Sequence, residues 1–173
     1  MRDMQSQTPD RVGQVSVSQM SSQPDSSPGL PLDQLKPDFV SALASGSVVV
    51  EAPTGSGKST RLPLWALELG RVLVVEPRRL VCRSLARYLA FARDQEPGQH
   101  IGYATRYENV WSKDSHLLLV TPGIALRWYA ADALREFQTV ILDEFHERRW
   151  DVDLLLAMLR AGERQVVLTS ATF

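Results

Sequence analysis

The sequence predicts an α/β fold, a mainly parallel sheet flanked by helices, on three observations. Short apolar runs of three or four residues alternate with longer segments whose apolar residues recur at helical spacing. A glycine-rich loop, Ala52-Pro53-Thr54-Gly55-Ser56-Gly57-Lys58-Ser59-Thr60, stands between one such run and one such segment. A second run, Val140-Ile141-Leu142, ends in the acidic pair Asp143-Glu144. Alternating strands and helices argue for parallel strands joined by right-handed crossovers. Strands that are apolar throughout suit burial on both sheet faces.

Residues 1–29 stand apart. Ser and Gln fill 12 of these 29 positions and the apolar residues are scattered. Such a stretch buries too little surface to offset its ordering entropy and is expected to be a disordered tail. Residues 30–173 form the domain. Leu35, Phe39, Val40 and Leu43 give helical spacing over Asp33 to Ala44, with Pro37 limiting the start. Val48 to Val50 reads as a strand feeding the glycine loop. Lys58 to Leu69 reads as a helix closed by Gly70, with Pro63 near its beginning. Strands follow at Val72 to Val75, Ile101 to Ala104, Leu117 to Val120, Val140 to Leu142 and Val166 to Leu168. Helices follow at Arg79 to Ala92, Ile124 to Ala133 and Val152 to Arg160.

A chain of 173 residues with 44% hydrophobic content can build one ordinary core. With 19 basic and 20 acidic residues, overall charge supplies no argument for a nucleic-acid partner, so such binding must come from a local basic face. The lone Cys82 excludes an internal disulfide and fits a reducing cytoplasm, where it reads as a small helix residue without chemistry. No apolar run is long enough to span a bilayer, so no membrane partner is expected. His100 and His116 lack partners at metal-ligand spacing. Trp65, Trp128, Tyr129 and Trp150 are read as core or interface residues rather than base-stacking ones.

The glycine loop carries the chemistry. Gly55 and Gly57 allow a tight turn and close approach of the backbone to phosphate oxygens. The amides of Thr54 to Thr60 then form an anion nest, and the following helix adds its positive end. Lys58 supplies a cation to the β- and γ-phosphates, and Ser59 a hydroxyl to Mg2+. The opening position is Ala52 where the general pattern has glycine. Asp143, at the end of a buried strand, is the candidate partner of that metal, and Glu144 the candidate base for an attacking water. The site is thus one for a nucleoside triphosphate and Mg2+.

These residues resemble a known family. The loop Ala52 to Thr60, Asp143-Glu144-Phe145-His146 and Ser170-Ala171-Thr172 are similar to motifs I, II and III of superfamily 2 DEAH/DExH-box ATP-dependent helicases. Glu76-Pro77-Arg78-Arg79-Leu80 resembles motif Ia, Gly102 to Asn109 a strand and turn of DEAH proteins, and Thr121-Pro122-Gly123 motif Ib. Asp143 to Arg148 is particularly similar to the HrpB type. Phe145 and Pro122 depart from the usual residues. The resemblance covers roughly residues 30–173 and implies a RecA-like P-loop NTPase domain that uses ATP and Mg2+.

By the same resemblance, His146 couples the nucleotide site to an opposing lobe, and Ser170 and Thr172 link hydrolysis to movement of nucleic acid. Arg78, Arg79, Thr121 and Gly123 contact the phosphodiester backbone of a single strand, with RNA the expected polymer. Arg79, Arg83 and Arg87 recur every four residues and place a basic stripe on one helix. The family pairs this lobe with a second RecA-like lobe, in cis or in trans, that carries arginine fingers. Such a finger contributes on the order of 10³–10⁵ in rate. Alone, the chain is expected to bind ATP–Mg2+ weakly and to hydrolyse it slowly or not at all. The face around Glu144, His146 and Ser170 is expected to be exposed. The alternatives are a stand-alone or degenerate nucleotide- and nucleic-acid-binding module, and a different P-loop ATPase; motifs Ia and III speak against the latter.

Overall fold

The structure is a computed structural model that describes residues 12–16, 31–162 and 164–171. Its strands are β1 (Val12–Ser16), β2 (Ser47–Glu51), β3 (Val72–Val75), β4 (Ile101–Ala104), β5 (Asn109–Val110), β6 (Leu117–Val120), β7 (Thr139–Leu142) and β8 (Gln165–Ser170). They form a sheet in the order β1-β2-β8-β7-β3-β6-β4-β5. Every neighbouring pair is parallel except β4 with β5. The helices are α1 (Lys36–Ser45), α2 (Lys58–Ala66), α3 (Arg79–Phe91), α4 (Pro122–Ala130) and α5 (Trp150–Arg160).

Strand alternation divides the core into two layers. Val72, Val74, Leu117 and Leu119 pack with Phe39 and Leu43 of α1, Leu62 and Trp65 of α2, and Leu85 and Leu89 of α3. The intervening residues Leu73, Val75, Leu118 and Val120 pack with Ile124 of α4 and Leu155 and Leu159 of α5. Central strands covered on both faces have no need of polar positions, which is why β3, β4 and β6 read as unbroken apolar runs.

The departures from the sequence reading have local causes. Residues 12–16 lie inside the expected disordered tail, yet they form β1, in parallel register with β2 from Val12 opposite Ser47 to Ser16 opposite Glu51. The backbone edge of β2 offers ladder partners that composition alone does not reveal. The rest of 1–29 lies outside the described residues. The first domain helix begins as a 3-10 turn, Pro31–Leu35, before α1. The helix expected to Leu69 is α-helical only to Ala66 and finishes as a 3-10 turn over Leu67–Leu69, with Pro63 inside α2. The segment expected as one helix over Ile124 to Ala133 starts at Pro122, whose ring favours the first helical turn. It ends before Asp132, whose φ of 60° breaks it from a 3-10 turn at Ala133–Glu136. Trp65 is buried and packs on Phe39 with ring centroids 5.9 Å apart. Trp150 is 75% exposed and takes no part in the core.

β5 folds back on β4 because Gly102 has no side chain. A Cβ there would meet Val110 O at 2.5 Å, in the strand that must approach, and Trp111 Cβ at 2.7 Å, in the residue that follows it. Gly123, on α4, has nothing within 4 Å of a built Cβ. Gly102→Ala is therefore expected to lower unfolding stability by about 1–3 kcal/mol, and Gly123→Ala to leave it within about 0.5 kcal/mol. Urea unfolding of the two variants checks both.

Candidate nucleotide site and basic edge

The C-terminal ends of β2, β8 and β7 lie side by side, and each delivers one part of the site. β2 runs into the glycine loop. Gly55 and Gly57 take φ of 80° and 96°, values that side-chain-bearing residues rarely adopt, and Gly57 is the N-cap of α2. Arg61 N donates to Gly57 O at 2.8 Å and the Thr60 hydroxyl to the same oxygen at 3.0 Å, which fixes the first turn. Thr54 and Gly55 are exposed at the tip, and Ser56, Gly57, Ser59 and Thr60 are half-buried. The Ser56 hydroxyl is buried without a partner.

Lys58 is 5% exposed and donates to the carbonyls of Ala52 and of Pro53, the latter at 2.9 Å. Burial holds its ammonium below the ordinary lysine value, against the opposing pull of Glu144 and Asp143. The loop is also tied to β8, since Ala52 N donates to Ser170 O at 3.2 Å.

β7 places Asp143, 2% exposed, beside β8. The Thr169 hydroxyl donates to Asp143 Oδ1, and Glu144 N donates to the same oxygen at 3.1 Å and to Thr169 Oγ1 at 3.3 Å. Asp143 Oδ2 is buried with no hydrogen-bond partner. One carboxylate oxygen is thus locked and the other is left available to a cation. Among the described residues no cluster of three His, Cys, Asp or Glu could cage a metal. The available Asp143 oxygen suits Mg2+, which is held by one or two protein oxygens and completes its shell with water and phosphate. Asp143 and Ser59 would hold it, and the ion would supply charge neutralisation of the phosphates.

After Asp143 the chain turns sharply. Glu144 and Arg148 have φ of 52° and 48° and bracket a 3-10 turn at Phe145–Glu147. His146 Nε2 lies 3.4 Å from Glu144 Oε2. Ser170, expected on an exposed face, is buried in β8 between its neighbours, while Glu144 keeps partial exposure. Thr172 lies outside the described residues.

The next three strands, β3, β6 and β4, end in basic and small residues at the same edge. Arg78 N caps the end of β3 by donating to Glu76 Oε1 at 2.9 Å, and its guanidinium reaches Glu147 Oε1 at 3.1 Å. Arg79 stacks over the exposed Tyr107 ring at 5.1 Å, and Arg106 lies 5.6 Å from the same ring. Arg83 pairs with Glu108 at 3.1 Å, so the basic stripe of α3 is partly neutralised. Thr121 is the N-cap of α4 without a side-chain bond, and Gly123 is exposed. Tyr107 and Glu147 fell within motifs quoted from the sequence and Thr169 did not, but none of their contacts with Arg79, Arg78 and Asp143 was read from it, because those partners lie far along the chain. His100 and His116 stack on each other at 5.6 Å far from this edge, at the opposite ends of β4 and β6. Cys82 is buried and burial pushes its thiol up to about 12, consistent with an inert helix residue.

Residues 37–173 match the family model of the DEAD/DEAH box helicases. The chain belongs to that family. It is 40% identical over 136 residues to the ATP-dependent RNA helicase HrpB of Escherichia coli (strain K12), a match covering 75% of this chain and 17% of that relative. It is 38% identical over 155 residues to the ATP-dependent RNA helicase HrpA of the same organism, covering 83% and 12%. The crystal structure of Escherichia coli DEAH/RHA helicase HrpB superposes with a TM-score of 0.78 at 38% identity, over 84% of this chain and 20% of that one. The chain spans less than a fifth of the length of these two curated relatives. Among the described residues no helix is long and apolar enough to cross a membrane.

One group of this DEAD/DEAH box domain carries a clear pH signature. Glu76 is 1% exposed, and burial raises its carboxyl from 4.5 to about 7, against the Arg78 amide and guanidinium that lower it. A folded value above the unfolded one means the folded state holds the proton more tightly. That stabilisation is complete below pH 4.5 and is lost as pH rises to about 7, a swing of up to roughly 3 kcal/mol. Glu76→Gln is expected to match the parent at pH 4.5 and to exceed it at pH 8, as read by denaturant unfolding at the two pH values.

Proposed function

We propose that this chain is the ATP-binding lobe of an ATP-dependent RNA helicase, hydrolysing ATP to drive movement along single-stranded RNA in the cytoplasm. The observation that carries the reading is the buried Asp143 carboxylate, with Oδ1 held by Thr169 and Oδ2 unpartnered, at a sheet edge shared with the glycine loop. In this reading the amides of residues 54–60 and Lys58 hold the triphosphate, and Ser59 and Asp143 hold Mg2+. Glu144 orients and deprotonates the attacking water, with His146 at its side. Arg78, Arg79, Thr121 and Gly123 hold the RNA backbone, and Tyr107, backed by two guanidiniums, offers a face for a base.

Ser170 and Thr172 connect hydrolysis to RNA movement. Ser170 acts through the backbone, since its carbonyl already anchors the loop at Ala52. The complete motor adds a second RecA-like lobe, in cis or in trans. The RNA substrate and the motor activity are supported by relatives named as ATP-dependent RNA helicases. A cytoplasmic setting is supported by the lone buried thiol.

Steady-state ATP hydrolysis by the purified chain, with and without single-stranded RNA and with Glu144→Gln as the blank, tests this reading. The expected result is MgATP binding that Lys58→Ala abolishes, with turnover at the level of the blank. RNA-stimulated turnover above the blank would show that the lobe is catalytically competent alone or self-associates. Failure to bind MgATP would overturn the functional reading itself.

A further inference from the structure

Arg78 is the first basic residue of the RNA-facing edge, yet its guanidinium is already engaged within the chain. Nη2 lies 3.1 Å from Glu147 Oε1, and Nε lies 3.5 Å from Glu76 Oε1. Glu76 is fixed in the core at the end of β3, so it acts as the pivot. Glu147 is the exposed side of the arrangement. It ends the 3-10 turn Phe145–Glu147, and its amide donates to Glu144 O at 3.0 Å. The same turn carries His146, 3.4 Å from the Glu144 carboxylate. Only Phe145 and His146 therefore separate the candidate base from the carboxylate that holds the RNA-facing arginine.

The neighbouring cations have closer carboxylate partners of their own, although Arg149 also feels the charge of Glu147. Arg148 pairs with Asp153 at 3.5 Å and Arg149 with Asp151 at 3.1 Å. A backbone phosphate does compete, because carboxylate and phosphate present the same oxygen geometry to a guanidinium. Arg78 has two alternative anions on its exposed side, one belonging to the protein and one to the polymer.

We propose that the Glu147–Arg78 ion pair is a coupling switch, in which Arg78 exchanges between Glu147 and an RNA phosphate and the exchange repositions the turn bearing Glu144 and His146. The proposal rests on the reading of the chain as a helicase lobe. Glu147 is a positioning residue here, touching neither ATP nor RNA. Two discrete arrangements of one element, each favoured by a different contact, are what coupling between sites requires. Linkage then makes nucleotide and RNA shift each other's affinity by the same factor. The pair is partly exposed, so the factor is modest, about 3–10-fold.

The test uses the full chain with a fluorescein-labelled oligouridylate and a non-hydrolysable ATP analogue with Mg2+, in the parent, Arg78→Ala, Glu147→Gln and the double variant. Glu147→Gln is expected to tighten oligouridylate binding by about 3–10-fold, because the phosphate no longer displaces a carboxylate. The mutual effect of nucleotide and oligouridylate should fall to unity in Glu147→Gln and return in Glu147→Asp. In nucleotide titrations without RNA, the two single variants should change affinity by similar factors and the double variant by no more than either. Additive effects in that cycle, or oligouridylate affinity unchanged or weakened in Glu147→Gln, would overturn the switch while leaving the helicase reading intact. A parent chain that binds no nucleotide would overturn both. A parent that binds nucleotide but not oligouridylate leaves the decision to the RNA-free cycle.

Discussion

The bond from the Thr169 hydroxyl to Asp143 Oδ1 is the constraint on which the site depends. A carboxylate 2% exposed is costly unless its oxygens are satisfied. Thr169 and the Glu144 amide satisfy one oxygen and fix the plane of the group, which leaves Oδ2 aimed with no partner in the protein. An unsatisfied buried acceptor costs about 1–3 kcal/mol. The fold tolerates this where a cation can recover it. The same Thr169 oxygen accepts from Glu144 N at 3.3 Å, so the start of the sharp turn after Asp143 is held by the same residue.

Sheet order turns that local bond into an organised edge. β8 sits between β2 and β7, so Ser170 O reaches the loop at Ala52 while Thr169 reaches Asp143. Two consecutive residues of one strand therefore position both halves of the candidate nucleotide site. Parallel strands lie about 4.8 Å apart, which brings β3 and its Arg78 one strand from Asp143 and β6 with Thr121 two strands away. The order β2-β8-β7 followed by β3-β6-β4 separates the half bearing the glycine loop and Asp143 from a basic half along one edge. The Phe145–Glu147 turn leads from the first half to the second, through Arg78.

Much of this was legible in the sequence. Val72–Val75, Ile101–Ala104 and Leu117–Val120 were read with their observed bounds, since strands covered on both faces are continuous apolar runs. Glycines at 55 and 57 with Lys58 between a strand and a helix identified the loop, because backbone chemistry there demands those residue types. β5 was missed because two residues, Asn109 and Val110, carry no periodicity; only the space at Gly102 explains them. β1 was missed because a Ser- and Gln-rich segment gives no core signal while the ladder it joins is a backbone property. Thr169 was missed for a different reason. Its role comes from the adjacency of β7 and β8, a tertiary fact, and its neighbours Ser170 and Ala171 carried the recognisable motif. Ser170 was expected to be open to a partner, but a strand with neighbours on both sides buries it.

The most direct test of this account is the Mg2+ dependence of nucleotide binding in Thr169→Val, which removes the hydroxyl and keeps the shape. Binding of a fluorescent ATP analogue would be followed as Mg2+ is titrated, in the parent and the variant. If Thr169 aims Asp143 at the metal, the Mg2+ concentration for half-saturation rises by roughly 10-fold or more, as is usual when the residue orienting a metal ligand is lost, while metal-free nucleotide affinity stays the same. An unchanged Mg2+ requirement in a folded Thr169→Val chain would contradict it.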